Sequence, residues 1–187
     1  EKWCNDGNKP FDFELKDNKT FGDIINQFKQ TIEIRKDKEV LENIFIQYKK
    51  KLGRKFKVEL VKLKGKQFYT DVENLKNGLD KIFIEIKKRE NYPNIKIEVV
   101  EGEDNKFIDI KIIQIGSEAG GDSKKMLKEI KSGDFSDIGR NFKNLCNWSI
   151  ESTNENKHYH INYSDEVIEE LEDKPIGFTH ILRFYNK

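Results

Sequence analysis

The stretch TDVENLKNGLDKIFIEIKKRENYPNIKIEVVEGEDNKFIDIKIIQIGSEAGG, residues 70–121, changes its hydrophobic period twice, and those changes decide the fold. Val72, Leu75, Leu79, Ile82, Phe83 and Ile86 recur at three and four residues, the stripe of one long helix reaching about Arg89. Thr70-Asp71-Val72-Glu73 has the spacing of a capping box, which predicts Thr70 as N-cap and Glu73 as its reciprocal partner. Pro93 ends the helical pattern. Residues 95–100 and 107–115 then read as two strands joined by the polar turn 101–106, a β-hairpin. A glycine-containing loop, Gly116-Ser117-Glu118-Ala119-Gly120-Gly121, follows directly.

Upstream, Phe21, Ile24, Ile25, Phe28 and Ile32 have helical spacing behind a polar arm, residues 1–19. A second helix is predicted from Asp37 as N-cap, carrying Val40, Leu41, Ile44, Phe45, Tyr48 and Leu52 inward. Lys49, Lys50 and Lys51 suit its negative end, and Gly53 suits its termination. Phe56, Val58 and Leu60 alternate as a strand. Downstream, Met126, Leu127 and Ile130 mark a short helix stopped by Gly133, and Phe135, Ile138, Phe142 and Leu145 mark another. Residues 148–153, 157–164 and 178–185 read as strands, with a short acidic helix and Pro175 before the last. The class is α+β: a two-layer sandwich, a mixed and mostly antiparallel sheet covered by helices, with an N-terminal helical hairpin. The expected division is 1–53, arm and hairpin, and 54–187, the sandwich domain.

The charge is balanced, with 35 Lys+Arg against 34 Asp+Glu. Mean hydropathy is −0.82, and no apolar run is long enough to cross a membrane. A globally basic nucleic-acid binder and a polybasic membrane protein are therefore excluded as overall types. Thirteen Phe residues supply a core in spite of the charge. Two cysteines, Cys4 and Cys146, match no disulfide or metal framework, which fits a reducing, cytoplasmic setting. The chain opens on Glu1 without a signal-peptide pattern and reads as a fragment or a processed form.

Taken from Thr70 onward, the order is long helix, strand pair, glycine-containing turn, short helix, glycine, helix, then strands. Together with Glu73-Asn74-Leu75-Lys76-Asn77, Gln114-Ile115-Gly116-Ser117-Glu118-Ala119-Gly120, Gly133-Asp134-Phe135-Ser136-Asp137-Ile138-Gly139 and Gly177-Phe178-Thr179, that order resembles the GHKL ATP-binding fold of histidine kinases, gyrase and mismatch-repair ATPases. The resemblance covers residues 56–187 and implies ATP and Mg²⁺ as cofactors. It implies that Asn77 supports Mg²⁺, that Glu73 positions an attacking water and that Gln114 faces adenine. Gly116 and Gly120 would permit close approach, Gly133 would open the phosphate-side helix, and Thr179 would lie on the closing strand. The family has an acid where Gln114 stands, and a denser glycine run than Gly133–Gly139 provides. The resemblance therefore implies a regulatory domain with weakened or lost hydrolysis.

Two other readings use different residues. A non-catalytic module would contact an unknown protein partner through its sheet or its helical hairpin. A nucleic-acid-binding domain would use the basic patch Lys49–Lys57, although glutamates elsewhere offset each positive cluster. His158 and His160 share a strand face with Asn162, whereas His180 keeps company with Phe178, Leu182 and Phe184 and is expected in the core, so parity argues against a three-histidine zinc site.

Overall fold

Helices and strands alternate along the chain as the changes of period require. The computed structural model describes residues 37–64, 67–102, 106–118, 128, 134–154, 156–163 and 166–185. Its elements are β1 (Asp37–Val40), α1 (Leu41–Leu52), β2 (Lys57–Val61), β3 (Gln67–Thr70), α2 (Val72–Lys88), β4 (Asn94–Glu101), β5 (Phe107–Ile115), α3 (Asp134–Phe142), β6 (Asn147–Asn154), β7 (Lys157–Asn162), β8 (Val167–Leu171) and β9 (Gly177–Tyr185). The first expected helix, 20–32, the short helix near Met126, and Gly120 and Gly133 lie outside the described residues. Among those residues no helix is long and apolar enough to cross a membrane.

Seven strands form one mixed sheet in the order β2-β4-β5-β9-β6-β7-β8. Among the described residues β2 and β4 run parallel and the other neighbouring pairs are antiparallel. The register sorts the residues onto two faces. Ile110, Ile112 and Gln114 of β5 stand opposite Leu182, His180 and Phe178 of β9, and Trp148 and Ile150 of β6 continue that row opposite Leu182 and His180. This is the helix-covered face, and its core takes in Phe45, Leu75, Leu79, Ile82, Ile86 and Ile138 from the three helices. Each such side chain, fully buried, contributes roughly 1.5–3 kcal/mol. The α+β sandwich expected from the sequence is the observed one.

Residues 37–187 form one compact unit, and side chains join its helices. The Tyr48 hydroxyl of α1 donates to the Lys76 carbonyl of α2 at 2.9 Å, while its ring stacks on Phe83 at 4.5 Å. Gly78 lets α3 approach α2, because a Cβ there would lie 2.3 Å from the Phe142 ring.

Three local expectations are corrected. Asp37 does not cap a helix: Asp37–Val40 is a strand paired antiparallel with Gln67–Thr70, and α1 starts at Leu41. Thr70 is the last residue of β3 and so cannot cap α2. The N-cap is Asp71, whose carboxylate accepts from the Asn74 N–H at 3.1 Å, leaving Glu73 exposed and without the reciprocal capping role. The acidic segment after β7 is a strand, β8, at the sheet edge. Its ladder with β7, His160 opposite Glu169, overrides the helical preference of its glutamates. Glu169, Glu170, Glu172 and Asp173 are all exposed there.

Candidate functional site

An α-helix ends with carbonyls that have no partner within it. At the end of α2 the Arg89 N–H reaches the Ile86 carbonyl and the Tyr92 N–H the Arg89 carbonyl, each at 3.1 Å, and the Gln114 side chain adds a further donor. Its Nε2 donates to the carbonyls of Ile86, Arg89 and Tyr92 at 3.1, 2.8 and 3.0 Å. Only the amino end of an amide can face three carbonyl oxygens. The Gln114 Oε1 is therefore turned away from the helix end, and it is buried with no hydrogen-bond partner. Gln114 as a whole is 1% exposed.

The strand end around Gln114 is fixed by two glycines. Gly116 adopts φ +78, a left-handed turn conformation that glycine takes without strain, and its N–H donates to the Ile176 carbonyl at 2.9 Å. Gly177 on β9 lies so close that a Cβ would fall 2.1 Å from the Gln114 carbonyl oxygen. Just past the turn, the Ser117 N–H donates to that same carbonyl at 3.2 Å. The Ser117 hydroxyl is buried and has no partner.

Arg89, the C-cap residue of α2, completes the corner. Its guanidinium lies over the Phe178 ring, 4.1 Å from the centroid. Nη1 is buried without a partner. Burial pulls the Arg89 pKa below its usual value, and the charge of Glu85 acts the other way. The Glu85 carboxylate already accepts from Lys88 at 2.6 Å. Beneath this lies His180, 1% exposed, its ring edge-on to Phe178 at 5.1 Å and stacked on Trp148 at 6.1 Å. Burial and, secondarily, the Arg89 charge push its pKa down to about 3, so the imidazole is neutral. A donor, an acceptor and a hydroxyl thus gather around the end of β5, in a corner whose floor is aromatic.

The sequence-derived site residues are not all brought to this corner. Gln114 and Gly116 are in it. Glu73 and Asn77 are exposed near the other end of α2; from Asn77 to Ile86 a helix climbs about 13 Å, and from Glu73 about 20 Å. Thr179 is opposite Ile113, on the sheet face away from Gln114, and its hydroxyl donates to the Gly177 carbonyl at 3.3 Å. Arg89 and Ser117 went unnoticed in the sequence, one as a helix-end cation and the other as a loop residue. No spacing rule signals either.

The other candidates sit elsewhere. His158 and His160 are on the face away from the helices, as parity requires, with His160 Nδ1 3.5 Å from Glu151 and His158 Nδ1 3.1 Å from the Thr153 hydroxyl. Among the described residues no group of three or more His, Cys, Asp or Glu is placed to hold a metal. In the basic patch, Lys51 pairs with Asp80 at 3.0 Å and Lys55 with Glu90. Lys49, Phe56 and Lys57 line a shallow cleft of about 470 Å³ beside Ile115. Burial pushes the Cys146 thiol pKa up, which keeps it unreactive.

A family model described as a histidine kinase domain observed in conflict contexts matches residues 1–185. Compared with curated proteins, the sequence gives no match.

Proposed function

The chain belongs to the family of histidine kinase domains observed in conflict contexts, and from that premise we propose that it binds a nucleotide with the base against the Gln114 corner. The role is regulatory, with hydrolysis weakened or lost. One observation carries the reading: Gln114 is locked by three carbonyls with its Oε1 buried, unpartnered and turned away from the helix. The resemblance in sequence asks for an acceptor at this position to take the adenine amino group, and the amide oxygen is one. A buried acceptor without a donor costs about 1–3 kcal/mol, and a ligand N–H would recover that.

The placement of Glu73 and Asn77 supports the reading of weak or absent turnover. Both face solvent on α2, about 13 and 20 Å along the helix from the end that Gln114 holds. A nucleotide could reach Asn77 and its Mg²⁺ only with its phosphates stretched back along the helix. Mg²⁺ would draw oxygen ligands from the phosphates and from Asn77, while Glu73 lies farther along the helix from the base corner.

The test is thermal unfolding of the 187-residue chain against Mg-ATP. Ligand at a hundred times its Kd stabilises by about 2.7 kcal/mol, an upward shift of several degrees for a domain of this size. Ser117→Ala, which removes only a hydroxyl, is expected to reduce the shift, and Asn77→Ala to change it little. No shift at millimolar nucleotide overturns the proposal.

A further inference from the structure

The unpartnered groups of the corner differ in kind, and the difference selects a ligand. The Arg89 guanidinium can only donate. Gln114 Oε1, a carbonyl oxygen, can only accept, and the amino group beside it is engaged by the three carbonyls. The Ser117 hydroxyl can do either. The groups are neighbours: the Arg89 carbonyl accepts from Gln114 Nε2 at 2.8 Å, and the guanidinium lies on Phe178, the residue opposite Gln114 in the ladder. Ser117 is tied to the Gln114 carbonyl. With Gln114 and Ser117 each 1% exposed, these atoms are closed to water, and a ligand meets them by displacing their present cover.

A planar base satisfies this set by offering an acceptor beside a donor. A 6-aminopurine gives its amino N–H to Gln114 Oε1 and leaves the cation with a ring nitrogen alone. A 6-oxopurine gives the cation O6 with N7 beside it, the pairing arginine makes most often with a base, and gives Gln114 Oε1 its N1–H. A bond from a charged donor is roughly twice as strong as a neutral one. Were an acid in place of Gln114, its charge would pair with Arg89 and quench that preference. The neutral amide leaves the cation for the ligand.

We propose that the corner takes 6-oxopurine nucleotides, GTP or ITP, at least as well as ATP, and that Arg89 is the residue that admits them. This rests on the reading that the domain binds a nucleotide there. The base edge is read between Arg89 and Gln114, beside the Phe178 ring that the guanidinium covers.

Calorimetric titration of the 187-residue chain with GTP, ITP and ATP, each with Mg²⁺, tests it. GTP and ITP are expected to bind with a Kd equal to or below that of ATP. In Arg89→Met, GTP and ITP are expected to weaken tenfold or more and ATP less than threefold, in protein whose circular dichroism matches the parent. An ATP preference of tenfold or more in the parent chain overturns this proposal and leaves nucleotide binding standing, as does an equal loss for all three ligands in Arg89→Met. If none of the three binds the parent chain, the nucleotide reading falls and this one with it. Should Arg89→Met fail to fold, the ligand series on the parent chain decides alone.

Discussion

The two faces of the sheet handle polarity in opposite ways. On the face away from the helices, buried polar groups are matched across strands. Asp109, 4% exposed, accepts from Arg183 through both carboxylate oxygens at 2.8 Å each, and Arg183 in turn lies over Phe107. Glu151 meets His160, and Thr153 meets His158. On the helix-covered face the packing is mostly apolar, with the rings of His180 and Trp148 stacked within it, and at the end of β5 Gln114, Ser117 and Arg89 each keep one atom without a partner. Matched polar groups stabilise a fold, whereas unmatched ones lower its stability and persist where something outside the chain can complete them. The contrast marks the corner, more than any motif does.

The largest effect is expected where the corner meets the core. Phe178→Ala removes a ring that is 2% exposed and is expected to cost about 3–5 kcal/mol in urea unfolding. Tyr185→Ala, on the other face and 61% exposed, should stay within roughly 0.5 kcal/mol. Similar losses for the two would erase the distinction between the faces.

Acid should strike the helix-covered face next. Below pH 6.5 the unfolded chain takes up a proton that folded His180, its pKa pushed down to about 3 by burial and by Arg89, refuses. The stability is therefore complete above pH 6.5 and declines by about 1.4 kcal/mol per pH unit towards pH 3. His180→Phe is expected to flatten this decline between pH 6.5 and 5, measured by denaturant titration at each pH.

On the opposite face the effects should be smaller. Asp109→Asn keeps the shape but removes the charge facing Arg183. Because Arg183 is 40% exposed and water screens it, about 1–2 kcal/mol is expected rather than the full cost of a broken buried pair. A double-mutant cycle with Arg183→Ala measures the coupling directly. Smallest is Glu151→Gln, at a few tenths of a kcal/mol. The His160 hydrogen bond lowers the Glu151 pKa below its ordinary value of 4.5, so this contribution is present above pH 4.5 and fades as pH falls below it.

The period changes made α2, β4 and β5 legible, because each runs long enough for helical or alternating spacing to be distinct. Parity alone placed His180 inside and His158 and His160 on the other face, since a ladder leaves no freedom in which side a residue takes. The short elements were less legible. In β8, Val167, Ile168 and Leu171 fall at helical spacing among glutamates, and only the neighbouring strand makes the segment extended. In β1, Asp37 resembles a cap until Gln67–Thr70 offers it a ladder. Gln114 could be placed at the strand end from the sequence, but its bonds to Ile86, Arg89 and Tyr92 depend on how far a helix end hangs above a sheet. Local pattern does not encode that height. The same holds for Arg89, whose partner ring lies almost ninety positions away in the chain.

The row of carboxylates along β8 also governs how the molecule meets others of its kind. An outermost strand has backbone groups ready to extend the sheet into a second copy, yet here such a neighbour in antiparallel register about Glu169 would set that carboxylate against its counterpart, while Glu170 is held by Lys157 at 3.1 Å. Like charges set opposite one another across a ladder disfavour that pairing. Replacing Glu169 and Glu170 by threonine is expected to make that border adhesive, and light scattering would register larger assemblies.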